Sequence, residues 1–190
     1  MAKKIILSLA SVFLFWQSVS LLSKIHEFDV ESLIALFIIA WIVNLFITGV
    51  FAFAGFAFPT QRILPDSYYQ IHKPSKLTTT FEVLKVDLFR KFLLATFWRN
   101  KAQRKKYFNG KKDGISILVE QSMKSEFGHL LPFIIINLVS AYFIAINFFE
   151  LALFTLLLNI IGNLYPIILQ RHHRMRIQLI SERQQARKDK

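Results

Sequence analysis

Cysteine is absent from this chain of 190 residues, which excludes a disulfide framework, a thiolate metal site and a cysteine nucleophile. Other templates are missing as well. There is no H-E-x-x-H pair, and His172 and His173 are adjacent, so on a helix they point about 100° apart and do not suit one ion; no metal site is expected. No G-x-S-x-G elbow, P-loop or dinucleotide fingerprint occurs, and neither does an internal repeat or a low-complexity segment. Acidic residues are scarce, 12 against 24 lysines and arginines, for a net charge of +12. Such a balance can signal nucleic acid, but no binding module accompanies it. The basic residues stand instead beside long apolar blocks, where they set topology and meet anionic headgroups. The expected partners are membrane lipids, and no nucleic acid.

What the chain does have is apolar length. It is 54% hydrophobic with 20 phenylalanines, gathered into runs rather than scattered at the spacing of a soluble core. Crossing a hydrocarbon core takes about 20 apolar residues. Four segments come close: Ile5–Leu22, Leu33–Phe58, Leu130–Phe149 and Leu151–Leu169, the last two joined by little more than Glu150 and so an antiparallel hairpin. The expected fold is an all-α integral membrane protein of about four transmembrane helices. The first segment follows Lys3 and Lys4 like a secretory signal, but "QSVSLLSK" offers no convincing small-x-small cleavage site, and a retained helix is expected.

Charge bias orients these spans. The loop Lys24–Ser32 holds Glu27, Asp29 and Glu31 against one lysine, whereas Thr60–Gly128 holds fourteen lysines and arginines and the tail after Leu169 holds seven. Both termini and the long central loop are therefore expected in the cytoplasm of a bacterial-type cell. Within that loop, Phe81–Phe108 mixes Phe, Leu and Trp with Arg and Lys and reads as an amphipathic helix in the headgroup plane, followed by a turn at Asn109–Gly114. The expected organisation is two N-terminal spans in 1–58, a basic cytoplasmic loop in 59–128, the hairpin in 129–170 and a basic tail in 171–190.

The hairpin brings distant polar residues to one membrane level: Glu126 and His129 at the start of the third span, Gln170 and Arg171 at the end of the fourth. Glu126 and His129 are three apart and share a helix face, while Asn159, Asn163, Gln170 and Arg174 form a stripe, and Asn137 and Asn163 lie at depths that would let them pair. Polar groups in a membrane helix face other helices or a wet cavity. They can simply hold helices together, and arginines at an exit can simply anchor. Chemically, a histidine beside a carboxylate is the smallest general base, and nearby arginines can hold a phosphate. Together they suit acyl transfer from a phosphate-containing thioester to a hydroxyl of a lipid-like acceptor, with no cofactor beyond that acyl donor.

At these residues the sequence resembles the small integral-membrane glycosyl-4,4'-diaponeurosporenoate acyltransferases. The likeness runs from about Pro59 to Ile180 through "ILPDSYY", Phe81–Glu82, "SEFGHLLP" and "NLYPIILQRHHRMR". Glu126 and His129 match a family pattern like E-L-x-H-W, and Asn163, Pro166, Gln170, Arg171, Arg174 and Arg176 match one like N-x-P followed by Q-R-Y-N-R-x-R. Leu130 stands in place of the aromatic residue, Pro166 comes one position late, and His172 and His173 replace tyrosine and asparagine. The resemblance implies transfer of a fatty acyl group to the sugar of a glycosylated carotenoid, with His129 and Glu126 catalytic and Asn163, Gln170, Arg171, Arg174 and Arg176 binding substrate. Two other readings stay open from the residues alone: a non-catalytic lipid- or carotenoid-binding membrane protein, and a membrane lipid methyltransferase.

Overall fold

The computed structural model describes residues 1–28, 30, 32–96, 99 and 113–188. Among these the chain is helical, with no strand, and four helices are long and apolar enough to cross a membrane. It divides into two compact units: Met1–Thr60 with Phe127–Pro166, and Gln61–Glu126 with Ile167–Lys190.

The first unit contains α1 (Ala2–Ser23), α2 (Leu33–Ala57), the later part of α6 (Asp113–Ala145), and α7 (Phe149–Asn159) with a π-helical turn at Ile160–Leu164. Leu36, Ala40, Val43 and Ile47 of α2, Ile136 and Phe143 of α6, and Leu151 and Ala152 of α7 form one buried core. Close approach of α1 to α2 occurs at Gly49, where a Cβ would stand 2.5 Å from Leu14 Cδ1, and Ser11 Oγ donates to the Val50 carbonyl at 2.8 Å. Outward-facing Ile5, Leu9, Phe13 and Trp16 of α1 stay exposed. Such a band is unfavourable in water at roughly 25 cal/mol per Å² and is relieved by lipid.

The α6–α7 hairpin turns three residues earlier than Glu150. Asn147 is left-handed (φ 63°), the Phe148 N–H reaches the Phe143 carbonyl at 2.9 Å and the Asn147 N–H reaches Ile144 at 3.0 Å. This pattern is the Schellman helix stop, in which Asn tolerates the left-handed position. Glu150 lies in the first turn of α7, where a carboxylate suits the helix dipole.

The second unit holds α3 (Asp66–Tyr69), α4 (Pro74–Val83), α5 (Val86–Ala95), the first part of α6, and most of α8 (Tyr165–Lys188). Phe81 of α4 stacks on His172 of α8 with centroids 4.0 Å apart, Thr78 Oγ1 meets Met175 Sδ, and Gln178 Oε1 accepts the Ile71 N–H at 3.2 Å.

Three expectations change here. The single amphipathic helix from Phe81 is two helices, interrupted where Lys85 turns left-handed (φ 52°) and its N–H closes on the Glu82 carbonyl. Neither glycine nor proline marks that break, so the hydrophobic pattern runs through it. Residues 113–128 and 171–188, assigned to a loop and a tail, are helical continuations of the spans; their polar side chains hid them from a hydropathy reading. The basic end of that amphipathic segment, most of the Asn109–Gly114 turn, and Asp29 and Glu31 lie outside the described residues.

Candidate active site

Within the first unit, the site is built around His129. Its Nδ1 lies 3.1 Å from Asn163 Oδ1. The orientation of Asn163 follows from its other end: Nδ2 donates to Asn159 Oδ1 at 3.0 Å and to Thr48 Oγ1 at 3.1 Å. Asn159 Nδ2 in turn donates to the Phe133 carbonyl at 3.0 Å. Each step of this chain, from His129 through Asn163 and Asn159 to Phe133, runs in one direction. Because the amide oxygen of Asn163 only accepts, Nδ1 must carry hydrogen, and in the neutral ring Nε2 keeps its lone pair.

Two prolines shape this arrangement. Pro166 has no N–H, so the Gly162 carbonyl, one residue before Asn163, loses its ordinary helical partner. Around it the helix widens into the π turn, with the Tyr165 N–H reaching Ile160, an arrangement often found at functional sites. Pro132 does the same inside α6, freeing the Gly128 carbonyl beside His129. Asn159 and Asn163 are fully buried.

The second unit carries a charge cluster. Glu126, with no exposed surface, accepts from Arg171 Nη1 at 2.8 Å through Oε1 and from Arg174 Nη2 through Oε2. Arg174 Nη1 also donates to Ser122 Oγ at 3.0 Å, and Ser122 donates to the Gln170 carbonyl at 3.1 Å. Tyr68 and Tyr69 of α3 lie under the guanidiniums of Arg171 and Arg174, each 5.3 Å from centroid to carbon. Burial first, then the Glu126 carboxylate, raises both phenols above their ordinary range, Tyr69 to about 12. Both are protonated at neutral pH. One carboxylate against two guanidiniums leaves the cluster positive.

The expected residues therefore fall into two sets. Asn163 joins His129, whereas Arg171, Arg174 and Gln170 join Glu126. The three-residue spacing of Glu126 and His129 does not make them partners: both carboxylate oxygens go to guanidiniums, and the imidazole nitrogen goes to an amide. The expected Asn137–Asn163 pair is also replaced, since Asn137 Nδ2 bonds the Phe133 carbonyl of its own helix at 2.6 Å. Arg174 is only 5% exposed, while Arg171 keeps 27% of its side-chain surface and Arg176 is exposed near His172 and His173. Thr48, Ser122, Tyr68 and Tyr69 were not expected at a site. For the tyrosines the "ILPDSYY" block was the available signal; for Ser122, one turn before Glu126, the shared helix face was.

A family model described as glycosyl-4,4'-diaponeurosporenoate acyltransferase matches residues 65–183, well over half of the chain, and spans both clusters except Thr48. The chain belongs to this acyltransferase family. Membership makes it an acyltransferase, in agreement with the resemblance seen in the sequence, and the four apolar helices make it a membrane acyltransferase. The α1 and α2 helices of this acyltransferase lie before the matched segment. No curated protein and no solved structure matched the chain.

Proposed function

We propose that the protein transfers a fatty acyl group from an acyl thioester to a hydroxyl of a glycosylated carotenoid or similar glycolipid. In this mechanism His129 Nε2 takes the hydroxyl proton as the oxygen attacks the thioester carbonyl carbon. The tetrahedral intermediate collapses with breakage of the C–S bond, and the imidazolium returns its proton to the departing thiolate. Asn163 holds Nδ1–H and so presents Nε2, the part an asparagine plays beside histidine in some cysteine proteases. The observation that supports this most is the one-directional chain from His129 to Phe133.

Glu126 takes a different role from the one its spacing suggested: it anchors Arg174 and Arg171. Arg171, with Arg176, is the guanidinium left open to anionic groups of the donor or acceptor. The charge bias supports cytoplasmic termini in a bacterial-type cell membrane, and exposed Leu88 and Phe92 beside Lys91 on α5 support a segment lying in the headgroups. Lipid extracts from cells with and without the gene test the reading. Acylated glycolipid or carotenoid that appears only with the gene is expected; identical acylation of every glycolipid in the two extracts would refute it.

A further inference from the structure

The α2 helix stands before the matched residues 65–183, yet it touches the side chain that holds the histidine. Within the first unit, Thr48 Oγ1 lies 3.1 Å from Asn163 Nδ2 and 3.3 Å from Asn163 Oδ1. An amide nitrogen carries two hydrogens, and leaving one unpaired in a side chain that is only 1% exposed is unfavourable. One hydrogen goes to Asn159 Oδ1 at 3.0 Å, and Thr48 receives the other. Both acceptors are used while Asn163 Oδ1 stays turned toward His129 Nδ1.

The two acceptors act differently. Asn159 decides which end of the amide faces His129, because a flipped Asn163 would set its carbonyl oxygen against Asn159 Oδ1. Thr48 cannot decide this, since a hydroxyl both donates and accepts. It meets both polar atoms of the amide, and what it opposes is rotation of the amide plane. Thr48 is itself held in register. One helical turn before it, buried Asn44 donates through Nδ2 to the Thr155 carbonyl at 3.2 Å, one turn before Asn159 on α7. We infer that Thr48 is a positioning residue for the acyl transfer: it holds the Asn163 amide plane, so that His129 keeps its hydrogen on Nδ1 and its lone pair on Nε2. The inference rests on His129 being the base, and it brings α2 into the reaction although that helix lies outside the matched segment.

The test is a double-mutant cycle on the purified full-length protein, with an acyl thioester and a glycosylated lipid acceptor. Thr48→Val removes the hydroxyl and keeps the branched shape; kcat should fall roughly 3–10-fold, with both KM values within about twofold of wild type. Thr48→Ser should recover most of that kcat, and Thr48→Ala takes the place of Thr48→Val should the latter not accumulate. In an Asn163→Ala protein the same Thr48→Val exchange should change kcat by less than about twofold, because the side chain it acts through is gone. Equal losses in both backgrounds, a Thr48→Ser protein as slow as Thr48→Val, or an unchanged kcat in Thr48→Val would each overturn the inference while leaving the reaction intact. A wild type that acylates no glycolipid would instead sink the reaction, and the role of Thr48 is then read by ¹⁵N NMR of protein labelled in its histidine rings, the His129 signals being those lost in His129→Ala. The wild type should show Nδ1 protonated and Nε2 bare, and Thr48→Val a mixture of tautomers. The same single tautomer in both proteins, or a wild type protonated on Nε2 alone, overturns the inference.

Discussion

Exchanging Arg174 for lysine separates an internal clamp from a membrane anchor. An anchor only needs a long cationic side chain, and lysine snorkels as well as arginine. A clamp needs the fork, since Arg174 divides its two terminal nitrogens between Glu126 and Ser122 and lies over Tyr69. Lysine brings one compact ammonium, which can follow Glu126 but not Ser122 as well. The lost charged hydrogen bond is worth roughly 1.5–3 kcal/mol and the lost ring contact roughly 0.5–2. After relaxation, a destabilisation of about 2–4 kcal/mol is expected, the same order as breaking a buried ion pair. At about 2–4 °C per kcal/mol for a chain of this size, Tm should fall by roughly 5–15 °C. Arg171→Lys should cost less, about 1 kcal/mol or under, because that side chain is 27% exposed and solvent screens its pair. The assay is thermal unfolding of the purified proteins in one detergent, at matched concentration. Equal shifts for the two variants, or an Arg174→Lys protein as stable as wild type, would refute the clamp.

Asn163→Ala should lower kcat by roughly 10–100-fold with little change in either KM, because the ring loses its fixed tautomer but not its substrate; steady-state kinetics on both substrates measures this. The raised phenol of Tyr69 favours the neutral form in the folded state, so stability is complete below about pH 10, the ordinary tyrosine range, and declines as pH rises toward about 12. Tyr69→Phe should remove part of that alkaline loss and leave Tm at pH 7 unchanged or slightly higher, since the buried hydroxyl has no partner; melting curves across pH decide it. Reporter fusions in the Asn147–Phe149 turn should be extracytoplasmic and fusions after Lys190 cytoplasmic, and a cytoplasmic reporter at the turn would contradict the charge-based orientation.

Apolar runs exposed the four spans and the hairpin, because a helix in lipid must advertise itself in about 20 residues. Their continuations were hidden for the same reason: α6 before Phe127 and α8 after Leu169 are polar helices, and hydropathy has no signal for those. The candidate site was legible as a set of residues and not as partners. Helical spacing brought Glu126 near His129, but a buried carboxylate with two guanidiniums in reach has stronger partners than an imidazole. Asn163 was visible as a polar residue in a span, yet its alignment with His129 depends on a π turn that the regular 3.6-residue period does not contain. Pro166 was the clue to that turn, four residues after Gly162, the residue whose carbonyl it frees.

Acyl transfer by purified wild-type and His129→Ala proteins, with labelled acyl thioester and a glycosylated lipid acceptor, tests the central claim most directly. Equal protein amounts and matched melting temperatures would show that both are folded. The account predicts O-acylated glycolipid from the wild type and a rate at least ~10²-fold lower from His129→Ala. An undiminished rate in the variant, or no acylated product from the wild type, would contradict it.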